Sequence, residues 1–146
     1  MKKSQRMLPI KNLAESHEDQ AANLLGQSRQ TLSQEQSRLE ELKQYRQQYL
    51  QGFNNAGKNG MSGTQLQHYQ RFIQQLDVAI AAQEQRIAQL SQQCEQARHH
   101  WQQKHHRTQA LDKTVQRYQS HERYQQERKE QREIEDNLQS RYVRNK

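Results

Sequence analysis

The chain has 146 residues and a net charge of +7, and only 30% of its residues are hydrophobic. A packed domain of this length needs about 45–50% apolar residues, so an ordinary globular core is excluded and a coiled coil or a disordered chain remains. Pro occurs once, four of the five Gly lie between Gly52 and Gly63, and the rest is dominated by Gln, Glu, Lys, Arg and Leu. Those are good helix formers, which favours the coiled coil. Residues 1–60 hold nine Lys or Arg against six Asp or Glu, and the remainder fourteen against ten. The positive charge is therefore spread evenly, a bias toward acidic partners rather than a nucleic-acid patch. Cys94 is the single cysteine, so no internal disulfide forms and a reducing, cytosolic setting is expected. No apolar run reaches signal-peptide or transmembrane length, so any membrane association is expected to go through partners.

Residues 1–8, with Lys2, Lys3 and Arg6, lack periodicity and read as a basic tail. Pro9 suits only the first turn of a helix, so helix 1 is expected over 9–53. Ile10, Leu13, Ala14, Ala21, Leu24 and Leu25 follow at helical spacings. Leu25, Leu32 and Leu39 then repeat every seven residues, joined by Leu42 and Tyr49, a heptad pattern with some drift of phase. Gly26 is a weak point within it.

Asn54, Asn55 and Gly57 accept left-handed backbone angles and are expected to end the helix, leaving a turn over 54–63. Ser62-Gly63-Thr64-Gln65 fits a capping box for the next helix. So short a connection makes antiparallel neighbours. Helix 2 is expected over 64–140, with a tail at 141–146. Its seam, Tyr69, Ile73, Leu76, Ile80, Gln83, Ile87, Leu90, Cys94, Ala97, Trp101, Lys104, Thr108, Leu111, Val115 and Tyr118, alternates steps of four and three over seven heptads. With the turn centred near residue 58, residue i faces about 117 − i, so helix 1 runs out opposite residue 108 and 109–140 is expected to overhang without a partner. Arg123–Glu127, Lys129–Glu133 and Arg132–Asp136, each four apart, would support that overhang. The expected fold is thus all-α: a long two-helix antiparallel coiled-coil hairpin with an overhanging C-terminal helix.

His99, His100, His105 and His106 have spacings that do not place two ligands on one helical face as His-Glu-x-x-His does, so no metal is expected. They read instead as part of a basic segment, 98–121, in which five Lys or Arg and five His face a single acid, Asp112. Cys94 and Trp101 lie on the seam and read as core. No phosphate-cradling loop and no nucleophile–base constellation occurs, so neither catalysis nor a cofactor is expected. Tyr45, Tyr49 and Phe53 approach the turn as Tyr69 and Phe72 leave it, and the 117 − i rule sets Tyr45 opposite residue 72. Phe72 falls one step off the seam, so these aromatics read either as a thickening of the core near the turn or as a recognition patch for another protein, since aromatics anchor interfaces.

At these residues the sequence resembles a known family. Leu39–Tyr49, Leu-Glu-Glu-Leu-Lys-Gln-Tyr-Arg-Gln-Gln-Tyr, resembles the flagellar FliJ family, as does Asn59-Gly60 followed by Tyr69-Gln70-Arg71-Phe72-Ile73-Gln74-Gln75-Leu76. Asn12-Leu13-Ala14-Glu15 and Ala21-Ala22-Asn23-Leu24-Leu25-Gly26 are also similar to it, so the likeness covers about residues 8–105. The resemblance implies a cytoplasmic, non-catalytic component of the flagellar type III export apparatus, peripheral to the inner membrane, with a coiled coil similar to the central (gamma) stalk of rotary ATPases. It implies that the open end enters a ring of the export ATPase FliI, that the linker of the export-gate protein FlhA is bound, and that export chaperones are escorted. The family's gate-binding surface falls here on Leu42, Tyr45, Tyr49, Phe72, Leu76 and Ala79, while Arg38 stands where Gln is typical and Gln83 where His is. The basic segment, with Arg107, Lys113 and Arg117, and the stripe Ile134–Leu138–Tyr142 form the expected ATPase-facing surface. The rival expectations are the equivalent stalk of a virulence secretion system, a basic coiled coil that binds nucleic acid, and a generic coiled-coil spacer.

Overall fold

The computed structural model describes residues 1–145. Among them are two helices packed against each other, α1 (Lys3–Lys58) and α2 (Gly63–Arg144), and no strand: an all-α helical hairpin. Contacts divide it into two compact units, Ala21–His100, which contains the turn, and Met1–Gln20 with the chain from Trp101 on.

In the turn unit α1 does not stop at Phe53. It continues through Asn54, Asn55 and Gly57 to Lys58. The extra turn keeps Phe53 and Ala56 half-buried, with the Phe53 ring 5.4 Å from that of Tyr69. Tertiary contact thus overrides the local preference of Asn for a helix end. The reversal is confined to 59–62: Asn59 N donates to Ala56 O (3.2 Å), Gly60 N to Gly57 O (3.3 Å), and Gly60 alone takes a positive φ, 87°. The capping box closes both ways, with Gln65 N donating to Ser62 Oγ and Ser62 N to Gln65 Oε1, each at 3.2 Å. That satisfies two amide donors which the start of α2 would leave without intrahelical partners.

Every expected seam position of α2 is buried or half-buried. On α1 the covered row is Ala21, Leu25, Ser28, Leu32, Glu35, Leu39, Leu42, Arg46, Tyr49, Phe53 and Ala56, steps of four and three without drift, with Thr31 and Leu50 half-buried beside it. Leu24 lies beside this row and is 56% exposed.

In the other unit the covered row of α1 is Ser4, Met7, Lys11, Ala14 and Glu18, while Ile10 and Leu13 are exposed. The expected tail 1–8 is helical from Lys3, with Pro9 inside the helix. A proline there removes a backbone bond and crowds the preceding turn. The first turn is held by long-range ties: Ser4 N and Oγ donate to the Glu122 carboxylate at 3.1 and 2.6 Å, and Lys3 Nζ stands 5.7 Å from the Tyr118 ring. Lys11 Nζ pairs with Asp112 at 2.8 Å, and Val115 is 2% exposed. Residues 109–122 are therefore not an overhang: α1 starts six residues before Pro9, and the later reversal at 59–62 shifts the pairing, so that Ser4 meets Glu122 and Lys11 meets Asp112 where the 117 − i rule gives 113 and 106. Continuous exposure begins at Arg123, from which every described residue is exposed. Among the described residues it makes none of the three expected i,i+4 ion pairs; Gln126 bonds Glu130 at 3.2 Å and Arg128 sits over Tyr124. The basic-first order of those pairs is the weaker orientation on a helix. α2 runs to Arg144 through most of the expected 141–146 tail, of which Lys146 lies outside the described residues.

The two glycines of the reversal make opposite predictions. Beyond the adjoining residues and the local helix backbone, no atom lies within 4 Å of a Cβ placed at Gly57 or Gly60, so backbone conformation alone decides. Gly57→Ala, in a helix, should stabilise by up to about 1 kcal/mol, and Gly60→Ala, at positive φ, should cost about 1–2 kcal/mol. Urea denaturation followed by circular dichroism reads both.

Candidate docking site

Two helices deliver the aromatic side chains from opposite directions. On α1 Tyr45 and Tyr49 are four apart and so share a face; on α2 Tyr69 and Phe72 are three apart. The fold brings Phe72 to 4.1 Å from Tyr49 and 6.0 Å from Tyr45 between ring centroids, and Tyr49 to 5.0 Å from Tyr69. These separations suit tilted and edge-to-face contacts. Phe72 is thus partly covered by rings from α1. Tyr45 is 52% exposed, while Leu42, Tyr49, Phe72 and Ala79 are half-buried. Leu76 is 7% exposed and lies under the patch as core. Beside it a hollow of about 410 Å³ is lined by Arg38, Glu41, Leu42, Tyr45 and Gln83.

Glu35 was not singled out by the sequence reading, yet it organises this flank. It occupies a seam position, 6% exposed, and receives Gln83 Nε2 twice, on its carboxylate (2.6 Å) and on its own carbonyl oxygen (2.9 Å). Arg38 and Arg86 approach the carboxylate at 3.3 and 3.5 Å. The Gln83 bond, then the two guanidinium groups, hold the Glu35 carboxyl below its ordinary value against desolvation. Arg38 and Gln83 both contact this one carboxylate. The available signal was position: Glu35 falls seven before Leu42 in the heptad row.

Arg107, Lys113 and Arg117 are exposed on α2, and the last two border a shallow groove of about 760 Å³ with Ala110, Thr114, Gln116 and Ser120. Ile134 and Leu138 are 59% and 60% exposed. His105 is not a solvated member of the basic segment: its Nδ1 lies 2.5 Å from Glu18 Oε1 and its ring stacks on Trp101 at 4.9 Å. The bond from His105, with a further one from Thr108, lowers the Glu18 carboxyl. His99 instead lies 3.3 Å from Glu95. Among the described residues no three His, Cys, Asp or Glu side chains gather as metal ligands, and no helix is long and apolar enough to cross a membrane.

Stability should follow acid pH through these carboxylates. Glu18, Glu35, Glu95 and Glu122 are all lowered when folded, so each contributes stability that is fully present above its unfolded value near 4.5 and is lost as pH falls through the lowered folded value. Thermal melts should fall as pH drops below about 4.5. Glu35→Gln should shrink the gap between melts at pH 7 and pH 3; a gap equal to that of the unsubstituted protein would count against this role for Glu35.

A sequence model of the family described as Flagellar FliJ protein matches residues 2–146. A Flagellar FliJ protein of Salmonella typhi is 33% identical over 94 residues, and one of Escherichia coli strain K12 is 32% identical over the same length. Each match covers 64% of this chain and 64% of the relative, just under two thirds of the relatives' own length. The family match extends over the uncovered end of α2 as well as the paired helices that carry Tyr45, Tyr49 and Phe72, and the chain belongs to the flagellar FliJ protein family.

Proposed function

We propose that the chain is a non-catalytic stalk and chaperone-escort component of the flagellar type III export apparatus, working on the cytoplasmic side of the membrane. In this reading Leu42, Tyr45, Tyr49, Phe72 and Ala79, supported from below by Leu76, receive the linker of the export-gate protein FlhA. Arg107, Lys113 and Arg117, with Ile134 and Leu138 further along α2, face the ring of the export ATPase FliI. The carrying observation is the Tyr45–Tyr49–Phe72 cluster, three rings from two helices gathered on one flank with Tyr45 about half exposed. A hairpin serving only as a spacer needs no such cluster, whereas aromatic side chains over a packed base are the usual anchors of a protein interface.

Support for the second surface is electrostatic. Asp112, the lone acid of the 98–121 segment, is already engaged by Lys11, so Arg107, Lys113 and Arg117 keep their charge for a partner. Such exposed charge raises association rates with an acidic surface and weakens with salt.

A deletion strain complemented with the Tyr49→Ala, Phe72→Ala double variant should lose swimming motility and secretion of flagellar proteins while the purified variant keeps its helical spectrum. Normal motility would favour a spacer role. Charge reversal at Arg107, Lys113 and Arg117 should lower stimulation of the purified export ATPase several-fold, most clearly at low salt. Unchanged stimulation would remove this surface from the ATPase contact.

A further inference from the structure

The turn unit carries a second apolar groove that the reading above does not use. Leu50, Phe53, Tyr69, Gln70, Ile73 and Gln74 line an open groove of about 460 Å³ between α1 and α2. It shares no residue with the Leu42–Ala79 patch. At about 100° per residue, Leu50 lies about 140° around α1 from Tyr45. Its walls are apolar and its rim is amide: Gln70 and Gln74 are exposed, while Leu50, Phe53, Tyr69 and Ile73 are half-buried.

The charge around it is one-sided. From Leu42 to Leu76 there is no Asp or Glu, against Lys43, Arg46, Lys58 and Arg71. Beyond that stretch Asp77 pairs with Arg46 at 2.5 Å and Glu84 with Lys43 at 3.9 Å, while Glu40 and Glu41 stand at least nine residues before Leu50 on α1. Lys58 and Arg71 make no ion pair among the described residues.

We propose that this groove is a docking site for an acidic amphipathic helix of a partner protein, distinct from the aromatic patch. A slot between two antiparallel helices receives the apolar edge of a third, at i, i+3, i+4 and i+7. The acid-free stretch favours a partner whose flanks carry Asp and Glu and repels one with Lys and Arg. A lipid surface fits less well, because it is engaged by a protruding apolar face and the apolar side chains here line a recess. Nucleic acid would require several free cations along a track, and of the four between Leu42 and Leu76 only Lys58 and Arg71 make no ion pair among the described residues. The proposal stands on the geometry of this unit and does not rest on the export role.

The test uses the full chain and a fluorescein-labelled helical peptide of about eighteen residues, with Leu at i, i+3, i+4 and i+7 and Glu at most other positions. Fluorescence anisotropy should show binding that weakens with salt, and the same peptide with Lys for Glu should bind at least about tenfold more weakly. Gln70→Glu with Gln74→Glu places two carboxylates on the rim at exposed, helix-compatible positions; it should cost about tenfold or more in affinity while the thermal melt is unchanged. Val78→Gln, which removes a 70% exposed apolar side chain outside the groove, should leave binding within about twofold and so excludes general stickiness. No binding, equal binding of the two peptides, an undiminished affinity of the Gln70→Glu, Gln74→Glu variant, or binding to phosphatidylglycerol vesicles in preference to the acidic peptide would each overturn the proposal.

Discussion

The interaction on which the structure depends is the polar tie across the helix seam. With so few apolar residues, neither helix can present a continuous hydrophobic stripe. Ser4, Lys11, Glu18, Glu35 and Arg46 of α1 occupy covered or half-covered positions, and they meet Glu122, Asp112, His105, Gln83 and Asp77 of α2. Charged pairs near solvent add little net stability. What they add is selectivity. A slip by one heptad would keep Leu against Leu in many layers but would set Glu35 apart from Gln83 and Lys11 apart from Asp112. A covered polar group without its partner costs far more than the paired one contributes. Apolar layers supply the attraction and the polar layers choose which attraction is realised, the role known for single polar residues in coiled-coil seams.

Small residues complete the arrangement. Ala14 and Ala21 are 5% and 2% exposed, among the most covered side chains of α1. A methyl group at a seam position lets the opposing helix lie close, and longer polar side chains one layer away can then reach across. In the turn unit the balance shifts toward rings: Tyr49, Phe53, Tyr69 and Phe72 fill the space that Leu and Ile fill further along. Rings spanning two helices leave edges at the surface, and so the most aromatic layers are also those of the proposed docking patch.

The seam of α2 was legible because it is written in Ile, Leu, Val, Tyr and Trp. That of α1 was not, for two physical reasons. Its covered positions include Ser4, Lys11, Glu18, Ser28, Glu35 and Arg46, which hydropathy reads as surface, while Ile10, Leu13 and Leu24 fall one residue off the row and suggest a phase drift that does not exist. Punctuation residues misled in the same direction. Pro9 and the Asn54-Asn55 pair mark helix ends in isolation, but contacts at Ser4 and at Phe53 carry the helix past both. The approach of Tyr45 and Tyr49 to Phe72 could be read from spacing alone, since it needs only the site of the reversal. Glu35 could not, because its significance lies in three partners, two of them on the other helix and far away in sequence.

Moving the start of the uncovered helix from residue 109 to Arg123 divides the surface proposed to face the ATPase into two physically different parts. Arg107, Lys113 and Arg117 stand on a segment of α2 held against α1 by Lys11–Asp112, Val115 and Ser4–Glu122. Their geometry exists before any partner arrives, so docking there has little ordering to oppose it, and the gain is mainly electrostatic. Ile134 and Leu138 stand on a single helix with every described residue exposed, and a helix of that kind is marginal in water without tertiary support. Contact there must stabilise the helix as well as bind it, and burying Ile134 and Leu138 is what would supply the needed free energy. On this argument the first part governs the rate and salt dependence of encounter, and the second governs how long the complex lasts.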